Sequence, residues 1–488
     1  MNVEPDSATR VSPGDEVATT TAQGFGPDPE HSPLLVGLAD ELPEGSPRVA
    51  ARAPGRLDVM GGLAEYTGAV VLHMATENHA CVVVQQRQDD TISIKLSARR
   101  DGDNGTPLTV ATRELYGSDG TPVTAAEMAG VLPGGASPNV VCALGAVVEL
   151  ARELGIGPSQ VAVSVVLGST LGGLSDVGHH AAVASATAVA TASLWEAALE
   201  PEQFAHLCQR VENEWLQAPV GVADAACALS GRPSALLEIH CNTGTIGGDI
   251  PLPDNLTFIG IDSGVLNDNA MAKYRQVRTA AFMGRALIDR IVQHENAREL
   301  SWDGFLARVA VNDYVERFRD RLPTKLKGRE FLDRFGETGD PWTRVEPDFT
   351  YKVRSRTEHH IYEHARACQF AECLARAIRS GDERALQGAG GLMNASHWSY
   401  GQRCGLGSVE SDLLVKLVRK HGAKTGVYGA KVSGRGCGGL VTVLLRSSQQ
   451  ATGSVESALS EYEAKTQCKP TIIRGSSQGA LVVSPHRF

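Results

Sequence analysis

Residues 161–199 set the tightest limit on the fold. Val161–Leu167 reads as an apolar strand, a glycine-rich loop follows, and Ala181–Leu199 is an alanine-rich helix candidate. Neither segment has a polar face, so other elements must cover both on most sides. Ser, Thr, Trp and Glu interrupt the helical run, which suits a buried helix better than a membrane span. The strand-to-helix loop also points free N–H groups and a helix dipole at whatever lies in front of it, a favourable place for phosphate.

The flanking chain mixes strands and helices without regular βαβ alternation, which predicts an α+β fold. Val49–Ala53, Val70–Met74, Ala80–Gln86 and Thr91–Leu96 read as strands by β-branched content and alternation. Ser137–Leu154 and Pro201–Leu216 read as helices, with Pro201 suited to a first turn. Thr257–Asp262, Lys424–Val432 and Leu440–Arg446 read as later strands; Ala272–Gln293, Ile361–Ser380 and Ser408–His421 read as helices. A chain of 488 residues exceeds one hydrophobic core and suggests two domains. The turn-rich stretch 242–253 places them at 46–240 and 241–488. Residues 1–45, rich in Pro, Gly, Ser, Thr and acids, read as a disordered acidic tail.

Formal net charge is −10 and no long Lys/Arg run occurs, so neither nucleic acid nor anionic membrane is an expected partner. The ten cysteines are scattered, with no CxxC pair or metal-ligand cluster. With no signal peptide, reduced thiols in a cytoplasmic protein are expected.

Three further segments carry chemistry. In Ala51–Gly68 a strand is expected to enter a Pro54-Gly55 turn that presents Arg56 to an anion, with Glu65 able to accept from hydroxyls. On residues alone, Arg56 reads more readily as a surface ion pair. In Ala218–Cys227 a single acid, Asp224, sits in an apolar run, where it must pair with a cation or do chemistry. A cationic partner would keep it ionised, ready to take or orient a hydroxyl proton. Tyr428–Leu440 is a glycine cluster between strands, either a tight turn or a close approach to a ligand.

Together, roughly from residue 47 to 480, these segments resemble the GHMP small-molecule kinases, and within them the galactokinase–arabinokinase branch. The first segment is similar to the galactokinase run PGRVNLIGEHTDYNGG. It is more similar to APGRLDVMGGIADYSG of the kinase part of plant arabinokinases; no counterpart is expected here for the glycosyltransferase-like segment that precedes it there. The resemblance implies a two-domain fold, with a ribosomal-protein-S5-like N-terminal domain and an α/β-sandwich C-terminal domain. It implies an ATP-dependent sugar-1-kinase acting on the anomeric hydroxyl of L-arabinose or a galactose-like sugar, as a monomer or homodimer, with ATP and Mg²⁺. Asp224 and Arg56 take the catalytic positions, which implies that Arg56 is the cationic partner of Asp224. Glu65, Gly62, Gly221 and Tyr274 take sugar-binding positions. Gly172, Gly173, Leu174 and Ser175 with Gly434 and Gly436 take ATP-binding positions, and Glu212 and Asp176 the metal positions. His359 and Glu363 match a structural pair.

The chain departs from the family in informative places. Gly62-Leu63 replaces the galactokinase Glu-His, whose Glu contacts the sugar C6 hydroxyl, and so suits a pentose; alternatively it packs the turn. Asp176 and Val177 replace loop serines, one of them a family magnesium ligand, and His179-His180 replace small residues. Arg435 replaces a glycine and offers charge to offset Asp176. These changes raise a rival reading, a catalytically impaired pseudokinase that binds sugar as a sensor or partner protein.

Overall fold

The computed structural model describes residues 33–97, 106–128, 130–265, 269–295, 302–436 and 439–488. Strands β1 (Arg48–Met60), β2 (Val70–Gln86), β3 (Thr91–Leu96), β4 (Leu108–Ala111), β5 (Val163–Ser169), β6 (Ala235–His240) and β7 (Thr245–Pro251) belong to one sheet. A second sheet begins with β8 (Leu256–Asp262), and β9 (Leu326–Lys327) with β10 (Thr350–Tyr351) makes a small ribbon. β11 (Val427–Val432), β12 (Leu440–Arg446) and β13 (Thr471–Ile473) complete the second sheet in the order β11-β12-β8-β13. β14 (His486–Arg487) returns to the first, whose order is β14-β1-β2-β5-β3-β4, with β6 on β2 and β7 on β6. Mostly antiparallel sheets with helices packed on them give the α+β class expected from the sequence.

β2 is continuous where the alternation pattern gave two strands. Its polar middle, Glu77-Asn78-His79, broke the pattern, but β1 pairs on both sides of it, with Pro54 opposite His79 and Arg56 opposite Ala75, so that Thr76, Glu77 and Asn78 have no β1 partner in the register. The Pro54-Gly55 turn expected there is instead a strand interior with irregular register at Pro54/Arg56 and Asp58/Met60. A bulge tolerates a proline that cannot donate to the ladder, and it re-aims the side chains that follow. Gly55 is needed for close approach: a Cβ there would lie 2.6 Å from Leu171 Cδ2 and 2.7 Å from the Val177 carbonyl.

The alanine-rich helix His179–Leu194 is buried from Ala181 to Ala192. Small side chains let it sit close against β1 and β2 and the helix Pro138–Leu154, within the main core. A smaller core joins the second sheet to helices Val409–Arg419 and Gln449–Thr466 through Ile259, Leu414, Val441 and Tyr462. The disordered reading of 1–45 fails at its end: Pro33–Ala39 is helical, and Leu35, Leu38 and Leu42 pack on Cys81, Val83 and Val166. Three apolar side chains at helical spacing suffice to bury that turn; residues 1–32 of the reading lie outside the described residues. The first sheet also runs past residue 240, because β7 continues the β6 hairpin and β14 closes on β1.

Candidate active site

Arg56 is the centre of the site. Leaving β1 after the bulge, its side chain is 3% exposed, and its guanidinium donates from Nε to Asp224 Oδ1 at 2.6 Å and from Nη2 to Asp224 Oδ2 at 2.8 Å. Its Nη1 donates to the Asp176 carbonyl in the glycine-rich loop, and its backbone N–H donates to the Val177 carbonyl at 2.8 Å. One residue therefore fastens the strand, the loop and the Asp224 segment together. Asp224 lies in the first turn of the helix Ala223–Ser230, where the dipole favours an anion. Burial alone would raise its pKa, but the Arg56 charge outweighs burial and holds it below the usual carboxylate range.

Asp58, two residues further along β1, is fully buried and was not singled out in the sequence. Its Oδ2 accepts from Lys431 Nζ at 2.9 Å and from the Gly434 N–H at 2.9 Å; its Oδ1 accepts from the Gly62 N–H at 3.1 Å. Ser433 and Thr442 hydroxyls donate to its carbonyl. The first segment and the glycine cluster of Tyr428–Leu440 are thus joined by one buried ion pair, and the Lys embedded between apolar residues of β11 was the available signal. A Cβ on Gly62 would fall 2.5 Å from Asp58 Cγ, so packing demands glycine there. Leu63 donates its N–H to the Tyr400 hydroxyl.

Glu65 accepts from the Gly221 N–H at 3.0 Å through Oε1, while Oε2 is buried without a hydrogen-bond partner. Burial, reinforced by the Asp224 charge, lifts the Glu65 carboxyl well above its ordinary range. A Cβ on Gly221 would sit 2.6 Å from Glu65 Cδ, which explains the glycine. Gly221 is held from behind. Tyr274 Oη donates to the Pro219 carbonyl at 2.7 Å and Arg278 Nη1 to the same oxygen at 3.1 Å. Arg278 is itself fixed by a bidentate pair with Asp340 and lies 4.6 Å from the Tyr66 ring centre. Tyr274, expected at the sugar, thus spends its proton on the protein while its ring lines the pocket.

The loop residues Gly172, Gly173, Leu174 and Ser175 lie between β5 and the alanine-rich helix, with both glycines exposed. The Ser175 N–H donates to Asp262 Oδ2 at 2.5 Å, which withdraws one amide from any phosphate. Gly434 and Gly436 have φ of 60° and 66°, conformations that favour glycine, and a Cβ on Gly434 would lie 3.2 Å from Arg56 Nη2. His359 and Glu363 do not pair with each other: His359 bonds Ser399 and Glu363 bonds Ser396 and Arg366.

The two residues expected at the metal share a neighbouring positive charge. Glu212 lies in a π-helical turn, Val211–Trp215, that ends the helix Pro201–Arg210. Its Oε2 faces Arg435 Nη2 at 3.4 Å, and burial pushes its carboxyl up to about 7 against the pull of Arg435. Glu212 and then Asp176 both raise the Arg435 pKa against burial, so the guanidinium serves as counter-charge to the two acids expected to hold magnesium. Val177 is 1% exposed in the core and offers no oxygen from its side chain. Among the described residues no group of three or more His, Cys, Asp or Glu side chains is arranged to hold a metal.

Arg56, Gly62, Leu63, Glu65, His73, Asp224, Tyr274, Gly434 and Arg435 line one small pocket, which gathers the expected catalytic residues and all the expected sugar-binding residues but Gly221, whose amide reaches it through Glu65. His73 was not foreseen. A wider surface cleft near Thr257, Arg446 and Arg474 has its charges already paired, Arg446 with Glu383 and Arg474 with Glu456.

Residues 142–232 match the family model of the GHMP kinases N terminal domain, and residues 43–86 match the galactokinase galactose-binding signature. The L-arabinokinase of Arabidopsis thaliana is 31% identical over 88% of this chain. The chain spans only 46% of that protein's length. The galactokinase of Streptomyces coelicolor is 25% identical over 86% of this chain and 90% of its own. Among solved structures, Lactococcus lactis galactokinase complexed with galactose matches with a TM-score of 0.67 at 14% identity, covering 91% of this chain and 98% of that one. Methanococcus jannaschii mevalonate kinase matches with a TM-score of 0.53 at 14% identity, covering 90% and 100%. These matches make the chain similar to GHMP kinases over the two matched segments, and its fold is that of the GHMP kinase structures. The galactose-binding signature and the curated relatives make it similar to galactokinases and to the arabinokinase.

Proposed function

We propose that this protein is an ATP-dependent sugar-1-kinase that phosphorylates the anomeric hydroxyl of a neutral monosaccharide, L-arabinose or a galactose-like sugar. The observation that carries this reading is the bidentate Arg56–Asp224 pair, buried in the wall of the pocket and tied by the same guanidinium to the loop carbonyl of Asp176. A carboxylate held ionised at a pocket beside a strand-to-helix loop is suited to orient or take a hydroxyl proton while phosphate sits at the loop.

The two pocket carboxyls have separate tasks. Arg56 keeps Asp224 anionic, and burial keeps Glu65 protonated near neutral pH. Glu65 can then donate from Oε2 to a sugar oxygen while Oε1 stays on the Gly221 amide. Gly434, Gly436, Gly172 and Gly173 are the backbone candidates for ATP contact. Arg435 and Arg56 supply the positive charge that developing phosphoryl oxygens require, so most of the catalytic effect is positioning and charge stabilisation. The relatives named as galactokinase and arabinokinase support a sugar as acceptor.

The test is ADP release by the purified protein with ATP and magnesium in solution, across L-arabinose, D-galactose, galacturonate, glucuronate and a no-sugar control, with Asp224→Ala alongside. Release that depends on one sugar and vanishes in the variant is the expected result. No release with any of them overturns the reading.

A further inference from the structure

The pocket contains one polar side chain that neither the fold nor the Arg56–Asp224 chemistry uses. His73 stands on β2 directly opposite Asp58 of β1, with Leu237 of β6 on its other flank. It is 1% exposed, and neither ring nitrogen has a hydrogen-bond partner. Asp58 Oδ1 is 3.8 Å from Nε2, beyond hydrogen-bond reach, and is already engaged by Gly62. Arg56 and Asp224 are the other charged groups near the ring, and the Ala223 backbone makes a loose hydrogen-bonding approach to it that falls short of full hydrogen-bond geometry. Burial drives the imidazole pKa down to about 4, so the ring is neutral at physiological pH, offering one donor and one acceptor.

An orphaned buried polar group is costly, and a fold rarely keeps one without a use. The other polar groups of this pocket have protein partners: Arg56 with Asp224, Tyr274 with Pro219, Arg435 with Glu212, Glu65 Oε1 with Gly221. The unmatched atoms are the His73 nitrogens and Glu65 Oε2, and both residues line the same small pocket. A hydroxyl is both donor and acceptor, and so complements a neutral imidazole; a neutral polyhydroxy compound complements the imidazole and a protonated carboxyl together.

We propose that His73 is a specificity-determining residue that hydrogen-bonds a hydroxyl of the acceptor, acting beside Glu65 Oε2. The proposal rests on the reading of this pocket as an acceptor-sugar site. It gives the pocket a polar contact on the side where Gly62-Leu63 supplies no side-chain acceptor.

The test uses the full chain with His73→Leu and His73→Gln, and reads the KM for L-arabinose and D-galactose, the KM for ATP, sugar binding by calorimetry, and the Tm. His73→Leu should raise the KM of the accepted sugar about tenfold or more, as loss of a buried hydrogen bond demands, with the ATP KM changed by less than about threefold. Its Tm should equal or exceed that of the parent, because an unsatisfied group has been removed. His73→Gln, which keeps a donor and an acceptor, should recover part of the sugar affinity. An unchanged sugar KM in His73→Leu overturns the proposal. So does a lowered Tm with sugar and ATP constants moving together, since that is the behaviour of a structural histidine. If His73→Leu fails to fold, His73→Gln with unaltered sugar binding and KM overturns it equally. A parent protein that neither binds nor phosphorylates any sugar tested refutes the acceptor-site reading itself, a result distinct from an active parent with an indifferent His73.

Discussion

Lys431 Nζ donates to Asp58 Oδ2 at 2.9 Å with both side chains fully buried, joining residues 373 positions apart. Removing one member of such a pair strands a charge in the interior. Lys431→Met should therefore cost about 3 to 5 kcal/mol of stability. Asp58→Asn combined with Lys431→Met should be less destabilised than Lys431→Met alone, because the asparagine amide carries no charge and its oxygen can still accept from Gly62 or Gly434. Urea unfolding of the three proteins measures this. A Lys431→Met protein within about 1 kcal/mol of the parent would show that the pair is not holding the two segments together.

Asp224→Asn keeps the shape of the side chain and removes the charge that Arg56 faces. As the proton acceptor of the proposed reaction, its loss should lower kcat by about 10² to 10⁴. Sugar affinity measured by calorimetry should change far less, since Glu65, Gly221 and His73 remain. An Asp224→Asn protein that retains kcat would remove Asp224 from the chemistry and leave it a partner of Arg56 only.

The match between sequence and site depends on how far apart the partners lie. The apolar strand and alanine-rich helix around the loop were legible because each is a local pattern with one way to be buried. The need for a cation beside Asp224 was legible in its apolar run, and the resemblance of both segments to family motifs pointed to Arg56. Asp58–Lys431 and Arg278–Asp340 were not, since nothing local says which of many charged residues will meet across two sheets. The same holds for the contact of Glu212 with Arg435, 223 positions on, which no local pattern announces. The unbroken β2 and the helix Pro33–Ala39 were hidden because tertiary pairing and packing overrode a polar composition.

Gly62-Leu63 was read in two ways, as suiting a pentose by lacking an acceptor for a C6 hydroxyl or as packing the turn. The position of Gly62 favours the second, because a Cβ there would collide with the Asp58 carboxyl at 2.5 Å. Gly62→Ala should be destabilising by about 1 to 3 kcal/mol through displacement of that carboxyl. Gly62→Glu should weaken activity on every sugar rather than create a preference for galactose. Relative kcat/KM values on L-arabinose and D-galactose decide the point; a Gly62→Glu enzyme that gains galactose activity would restore the specificity role.

Glu212 gives the pH dependence. Its carboxyl is raised by burial from about 4.5 to about 7 in the folded protein, so the native state holds this proton more tightly than the unfolded chain does. The stability it contributes is fully present below the unfolded value and is lost as pH rises through the folded one, between about 4.5 and about 7. The upper bound on that loss is on the order of 3 kcal/mol. Glu212→Gln removes the titration. It also weakens the partner of Arg435, so the variant should be less stable than the parent at pH 5. As pH rises to 8 the parent should lose stability relative to the variant, and the gap in Tm should narrow or reverse. Arg435→Gly should act in the other direction: without the guanidinium, Glu212 becomes still harder to ionise, and the parent-like loss of stability should move to higher pH. Thermal unfolding of the three proteins at pH 5, 6, 7 and 8 tests both statements. A constant gap between parent and Glu212→Gln would mean that Arg435 already keeps the carboxylate ionised throughout, with no proton shared between fold and solvent in that range.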